Sequence, residues 1–197
     1  MRILLIDNDT DTDSWEKLLA MVSTTGNIVT PLNHRELAAH DTSAYDLIVL
    51  SGGWWYDDFE ELRQVYASEL NLIRTSTVPI LGICIGMQLM HVALEGDVPL
   101  LDAPQNGFQP ITLTPTAQEL FGLPETIEVF KYHTRGVLTP DDEFELLGTS
   151  PGHIEIMRHR TRPLLGVQFH PESEPTTERS RRLFDKLASS LIHTQAN

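Results

Sequence analysis

The stretch Pro79-Ile-Leu-Gly-Ile-Cys-Ile-Gly-Met-Gln88 decides the fold of this chain. Residues 78–83 form an apolar run of strand length, and residues 87–94 have the apolar spacing of a helix. Cys84 therefore lies on the turn between a strand and a helix. Such a sharp reversal crowds the backbone on both sides of its central residue, which favours the glycines found at Gly82 and Gly86.

Cys84 is the chain's only cysteine, and its position suits a nucleophile. At a helix N-terminus, the unpaired N–H groups and the helix dipole favour the thiolate, which is the nucleophilic form of cysteine. The amide of Ile85 faces the same space and is a candidate donor to an oxyanion. A lone cysteine is more often a buried small apolar residue, so this hypothesis needs a base elsewhere in the chain.

The segment Leu165-Gly-Val-Gln-Phe-His-Pro-Glu-Ser173 offers that base. Residues 166–169 predict a strand, which Pro171 ends directly after His170. Residues i and i+2 of an extended segment point the same way, so we expect Glu172 to reach back to the imidazole and orient it. Cys84, His170 and Glu172 would thus supply nucleophile, base and orienting acid.

A third segment, residues 48–53, predicts a buried strand that ends in two glycines. Backbone without Cβ can approach a ligand closely, so Gly52 and Gly53 could offer N–H groups to an oxyanion. This signal is weak by itself.

With these motifs the chain resembles the class I (triad-type) glutamine amidotransferases over nearly its whole length. The Cys84 turn and the His-Pro-Glu segment, in this order, are the specific part of the match, and Tyr132-His133-Thr134 is similar to the family's Tyr-His-Ser. The resemblance is greatest to the small glutaminase subunits of anthranilate and aminodeoxychorismate synthases.

The resemblance implies that Cys84 attacks the side-chain amide of glutamine, forms a glutamyl thioester and releases ammonia. It also implies that Gln88 and the backbone near Gly53 and Thr134 hold the glutamine. Gly52 borders the same site. His133 is a further candidate for substrate contact, the alternative being that it only supports its turn.

Three positions depart from the pattern of that subgroup. Trp54-Trp55-Tyr56-Asp57-Asp58 replaces a proline-rich stretch, Met87 replaces a histidine, and Thr134 replaces a serine. Trp54 and Trp55 could line a substrate pocket, dock a partner or simply cover apolar surface.

Strand-like and helix-like segments alternate along the first half of the chain, which is typical of a mostly parallel sheet with helices on both faces. We expect a flavodoxin-like α/β fold, with ligands at the carboxyl ends of the strands. After Gly96, short strands over residues 108–113, 127–132 and 153–158 predict an antiparallel or mixed extension, and residues 178–192 predict a final helix. Residues 1–197 are expected to form a single domain.

Composition narrows the function further. The formal net charge of −14 argues against nucleic acid or anionic membrane as a partner, because both require basic patches. One cysteine, no signal peptide and no membrane-length apolar run favour the cytoplasm.

No phosphate-binding glycine motif is present, so we expect no cofactor. The acidic run at residues 7–13 is expected to cap a helix rather than bind a cation. We also expect no metal, because the histidines besides His170 show no ligand spacing: His34, His40, His91, His133, His153, His159 and His193.

Three functions remain open from the residues. The first is a glutaminase that passes ammonia to a separate synthase, since no synthase segment is present. The second is a free-standing cysteine hydrolase of γ-glutamyl amide bonds. The third is a catalytically idle binding or regulatory subunit, which would not require an intact triad.

Overall fold

The computed structural model describes residues 1–24 and 26–193. Within them, nine strands form one sheet: β1 (Arg2–Asn8), β2 (Ile28–Asn33), β3 (Leu47–Gly53), β4 (Ile80–Ile83), β5 (Leu100–Leu113), β6 (Thr126–Arg135), β7 (Phe144–Ser150), β8 (His153–His159) and β9 (Leu164–Val167). The α-helices are α1 (Thr12–Val22), α2 (Phe59–Val65), α3 (Ala67–Thr75), α4 (Ile85–Ala93), α5 (Pro115–Phe121) and α6 (Thr177–His193). Short 3₁₀ helices span His34–Ala39 and Pro171–Ser173.

The strand order in the sheet is β2-β1-β3-β4-β9-β8-β7-β5-β6. In this order, the strands from β2 to β9 run parallel to one another. The strands from β8 to β6 are added by antiparallel pairing. This confirms the expected α/β fold with a mixed extension. Because β3, β4 and β9 are adjacent and parallel, their carboxyl ends meet at one edge of the sheet.

The core lies on both faces of the parallel strands. Along β3, Leu47 and Val49 face one apolar cluster, whereas Ile48 and Leu50 face the other. Helices α1 and α6 cover the first face, and α3 and α4 cover the second. Burial on both faces explains why the parallel strands are apolar throughout instead of alternating with polar residues.

Helix α4 is buried along its whole length, from Ile85 to Ala93. A helix that is apolar on all sides can lie only inside the protein. The glycine of β9 makes room for it, because a Cβ on Gly166 would come within 2.6 Å of the Met87 side chain. The helix that begins at Cys84 is therefore fixed in position by close packing.

The structure differs from the expected elements in three places. Residues 59–73 lie in two helices that meet at Tyr66, whose backbone leaves the helical conformation (φ −97°, ψ 18°) and whose hydroxyl donates to the carbonyl oxygen of Trp54 at 2.9 Å. Residues 35–39 lie in a 3₁₀ helix instead of an α-helix. Helix α5 and strand β7 were not expected, although Thr114 caps α5 and Gly122 ends it in the left-handed conformation.

The acidic run at residues 7–13 caps a helix, as predicted. Asp11 is the N-cap of α1, and its side chain accepts a hydrogen bond from the Ser14 amide at 3.1 Å. This bond satisfies one of the free N–H groups of the first helical turn.

Candidate active site

Cys84 occupies a strained turn between β4 and α4. Its φ of 51° and ψ of −106° lie where residues with a side chain are rare. The turn is closely packed, since a Cβ on Gly82 would come within 2.6 Å of the Gly86 backbone, and a Cβ on Gly86 within 2.8 Å of Leu50. Glycine is therefore required at both flanking positions, as the sequence predicts.

His170 lies beside this turn, three residues beyond β9, which spans Leu164–Val167 where a strand over residues 166–169 was expected. The Cys84 amide donates to the Val167 carbonyl at 2.8 Å, which ties the turn to that strand. A Cβ on Gly52 would lie 3.0 Å from Cε1 of His170 and 3.8 Å from Cβ of Cys84. The cysteine, the histidine and the glycine of β3 thus meet at the carboxyl ends of three neighbouring strands.

Glu172 orients His170. The imidazole Nδ1 and the Glu172 carboxylate oxygen Oε1 are 2.7 Å apart, and the carboxylate is buried. We expected an extended segment to make this contact, but residues 171–173 form a 3₁₀ turn that begins at Pro171. The proline directs the chain into this turn, because its ring fixes φ in the helical range.

The two neighbouring groups change the protonation of His170. Burial alone disfavours the imidazolium, but the charges of Glu172 and Cys84 outweigh it and raise the pKa of His170 well above its ordinary value. A histidine held between a carboxylate and a cysteine sulfur is the arrangement in which an imidazole can activate a cysteine nucleophile.

Gln168 is a site residue that the sequence interpretation missed. Its side chain is fully buried, and Nε2 donates to the Cys84 sulfur at 3.6 Å. Its Oε1 accepts from Nε2 of Gln88 at 3.1 Å, and the same Gln88 nitrogen donates to the Arg135 carbonyl at 3.0 Å. Gln88 therefore uses its amide nitrogen within the protein, and among the described residues its oxygen accepts no hydrogen bond, which leaves that oxygen for a ligand.

The loop after β3 is held by polar contacts on its inner side. The Gly52 carbonyl accepts hydrogen bonds from Thr10 at 2.5 Å and Ser51 at 2.6 Å. Gly53 is in register with Asn8 of β1, and a Cβ there would come within 2.2 Å of the Asn8 carbonyl oxygen. Glycine is therefore required for this close approach.

Ile85 is the first residue of α4, so its amide has no acceptor within the helix. Gly53 lines the same pocket as Ile85 and Cys84. The structure thus brings both residues proposed for oxyanion binding to the same pocket as Cys84.

A pocket of about 410 Å³ opens next to Cys84. A cavity of this size is in the range of small-molecule sites. Five of the six residues predicted to bind substrate or oxyanion line this pocket: Gly53, Ile85, Gln88, His133 and Thr134. Gly52 is the exception. Gly52 lies behind them, against His170.

Aromatic residues form the outer wall of the pocket. Trp54 is 67% exposed, whereas Trp55 is half-buried. The Arg135 guanidinium stacks 5.3 Å from the centroid of the Trp55 ring and pairs with Asp57 at 3.1 Å. The segment that replaces the proline-rich stretch is therefore joined to β6 across the pocket.

Two histidines and a glutamate form a cluster that their spacing in the sequence did not predict. His133, His153 and Glu155 place ligand atoms within 4.8 Å of one another, next to the pocket. The carboxylate already has a cation, because Nζ of Lys131 lies 2.6 Å from the Glu155 oxygen. A spacing rule could not detect this cluster, since its members lie on two strands that are distant in sequence.

A strained cysteine beside a histidine–carboxylate pair, at the carboxyl edge of a parallel sheet, defines a cysteine hydrolase of the triad type. Within that class, the chain belongs to the family described as "Glutamine amidotransferase class-I", whose profile matches residues 5–189. This confirms the resemblance found in the sequence, and the chain is an enzyme of the glutamine amidotransferase class.

Several known proteins are similar to it. A subunit of the glutamine-hydrolysing GMP synthase of Sulfurisphaera tokodaii is 33% identical over 67% of this chain and 70% of that protein. The anthranilate synthase of Azospirillum brasilense is 33% identical over 87% of this chain, which spans only 23% of that longer protein. A crystal structure from Thermoplasma acidophilum, described as that of a GMP synthase subunit, has a TM-score of 0.78 at 25% identity, covering 100% of this chain and 96% of the other.

Among the helices described here, none has the length and apolar character needed to cross a membrane.

Proposed function

We propose that the chain hydrolyses glutamine to glutamate and ammonia and passes the ammonia to a separate synthase subunit. The observation that carries the proposal is the triad geometry: Glu172 lies 2.7 Å from the imidazole of His170, which in turn lies beside the strained Cys84. Relatives named as synthases or as subunits of synthases support the transfer of ammonia to a separate synthase subunit. The cytoplasm is the location that this proposal assumes.

In the first step, the Cys84 sulfur attacks the side-chain amide carbon of glutamine. The amides of Ile85 and Gly53 stabilise the oxyanion as the carbonyl double bond opens. The carbon–nitrogen bond then breaks, and the His170 imidazolium gives its proton to the leaving nitrogen, which departs as ammonia. A glutamyl thioester remains on Cys84.

In the second step, water attacks the thioester while His170 accepts its proton. The sulfur–carbon bond breaks, glutamate leaves, and the thiolate–imidazolium pair is restored. Glu172 holds the imidazole in one orientation and stabilises its positive form in both steps.

The pocket supports glutamine as the substrate. Gln88 offers its free oxygen, which suits the α-ammonium group of an amino acid, and Thr134 and His133 border the same space. Gly52 carries no side chain, which leaves room for His170 to face the sulfur. We place these residues in the glutamine site.

The test is a glutaminase assay on the purified chain, alone and with extract of the source organism, measuring glutamate and ammonia. We expect activity that is lost in Cys84→Ser and that rises when extract is added. Strong activity that extract does not change would favour the free-standing γ-glutamyl hydrolase. Binding of glutamine without turnover under both conditions would refute the proposal in favour of the idle subunit.

A further inference from the structure

Behind the pocket lies a buried charged network that the triad does not use. Nζ of Lys131 lies 2.6 Å from Oε1 of Glu155, and the Ser150 hydroxyl donates to the same oxygen at 2.8 Å. Nε2 of His153 is also 2.8 Å from this oxygen. The side chains of Lys131, Glu155 and His153 are each 2% exposed or less. Three donors on one oxygen mark Glu155 as an ionised carboxylate.

This arrangement determines where the proton of His153 lies. Because the Glu155 oxygen is an acceptor, Nε2 of His153 must carry a proton to bond it. Nε2 of His133 lies only 3.4 Å from that protonated nitrogen, with the two rings inclined at 74°. Two N–H groups cannot face each other at this distance, so Nε2 of His133 must be the acceptor.

A neutral histidine that accepts at Nε2 carries its proton at Nδ1. In the part of the chain that the structure describes, Nδ1 of His133 is buried and has no hydrogen-bond partner. Burial, assisted by the positive charges of His153, His170 and Lys131 against the opposing charge of Glu155, lowers the pKa of His133 to about 4. His133 is thus uncharged near neutral pH and has one unused donor.

A metal ion is the competing interpretation of the same three ligands. It would have to share the Glu155 carboxylate with the Lys131 ammonium, which is itself buried and hydrogen-bonded to Ser150. Two cations on one buried carboxylate repel each other strongly. The lysine therefore favours a hydrogen-bond network over a metal centre.

We propose that Glu155, acting through His153, is a positioning residue that fixes His133 as a neutral donor at Nδ1, and that this N–H binds an oxygen of the substrate. The inference rests on the proposed function, because the substrate is taken to be glutamine. His133 lines the pocket together with Cys84 and Thr134, and its Nδ1 is closed to solvent, so the substrate reaches this N–H when the pocket wall over it opens. An enclosed N–H without an acceptor is costly, and a bound carbonyl or carboxylate oxygen removes that cost.

The proton position is tested directly by ¹⁵N NMR of the histidine side chains in the full chain, with the His133 signals assigned by their loss in His133→Asn. We expect neutral His133 protonated at Nδ1, and a shift toward Nε2 protonation in Glu155→Leu, which removes the acceptor that holds the proton on Nε2 of His153. Protonation at Nε2 in the wild type would overturn the inference. One equivalent of zinc in the purified chain, lost in His153→Asn, would also overturn it.

Kinetics test the substrate contact. Glu155→Leu should raise KM for glutamine about tenfold and change kcat less, because one hydrogen bond to the bound substrate is lost. Glu145→Leu, whose partner Arg158 lies 2.6 Å away on the neighbouring strand, is the matched control and should leave both constants unchanged. A tautomer switch with no change in KM would overturn the contact while leaving the proposed function intact.

Glu155→Leu leaves Lys131 buried without its counter-ion, so the variant could fail to fold. The double variant Lys131→Met/Glu155→Leu removes both charges together with the acceptor and should show the same tautomer switch and KM effect. If the wild type has no glutaminase activity under any condition, the proposed function fails, and the NMR measurement still decides the proton position.

Discussion

Replacing Glu172 with glutamine removes one negative charge from the site and nearly preserves its shape. The lost partner is a buried carboxylate oxygen 2.7 Å from Nδ1 of His170. The oxygen of the introduced amide can still accept from Nδ1, so the loss is the difference between a charged and a neutral hydrogen bond plus the field of the carboxylate. We expect a loss of about 2–3 kcal/mol, which corresponds to roughly a 30- to 150-fold decrease in kcat/KM.

The pH profile should move in a defined direction. Glu172 and Cys84 hold the pKa of His170 above its ordinary value in the folded chain, so the imidazolium persists into the alkaline range. Without Glu172 that pKa falls, and the imidazolium deprotonates at a lower pH. The alkaline limb of kcat/KM should therefore shift down by about 1–2 pH units.

The assay is glutamate formation measured from about pH 6 to about pH 10 for the wild type and Glu172→Gln. Glu174→Gln is the matched control, because this nearby carboxylate is also buried but pairs with Arg179 at 3.0 Å. It should change kcat/KM by less than about twofold. An unshifted alkaline limb in Glu172→Gln, with activity within about threefold of the wild type, would refute Glu172 as the orienting group.

Three further substitutions test other parts of the structure. Gly82→Ala places a Cβ 2.6 Å from the Gly86 backbone. The unfolding free energy measured by denaturant titration should fall by about 2–3 kcal/mol, and activity should be lost. A variant that is fully active and equally stable would contradict the close packing of this turn. Burial raises the pKa of Glu69 to about 8 from 4.5, so its contribution to stability is complete below pH 4.5 and is lost as the pH rises through about 8. The melting temperature of Glu69→Gln, measured relative to that of the wild type, should therefore be higher at pH 8 than at pH 5. The same difference between variant and wild type at both pH values would count against a protonated Glu69. Tyr66→Phe removes the hydrogen bond to the Trp54 carbonyl and should raise KM for glutamine several-fold with little change in kcat, whereas an unchanged KM would show that this bond does not order the loop.

The sequence predicts those features of the site that depend on short segments. The turn around Cys84 requires glycine at fixed positions and an apolar strand before it, and all of this lies within one short stretch. His170 and Glu172 are likewise defined by one short motif. The parallel sheet follows from alternating segments, and the sheet edge then brings the motifs together.

Contacts between distant strands could not be predicted in this way. Lys131 and His133 lie on β6, whereas His153 and Glu155 lie on β8, and these strands are not neighbours in the sheet. They meet because β6 lies against the site, where the Phe130 carbonyl accepts from the His170 amide at 2.8 Å. A local pattern of apolar and polar residues cannot predict a contact between strands that are distant in the sequence.

Gln168 shows a different limit. It stands within the quoted motif, two residues before His170, but its role depends on which way its amide points. The structure fixes that direction through Gln88, which bonds the oxygen and leaves the nitrogen to face the Cys84 sulfur. An orientation set by a partner 80 positions away in the chain cannot be seen in a strand pattern.

The central claim is that Cys84 carries the glutamyl group during turnover. The most direct measurement is to quench the chain in acid during steady-state glutamine hydrolysis, digest it and locate the acyl group by mass spectrometry. The account predicts a glutamyl adduct on the peptide that contains Cys84 and its absence in Cys84→Ala. Continued hydrolysis by Cys84→Ala, or a glutamyl adduct on another residue, would contradict it.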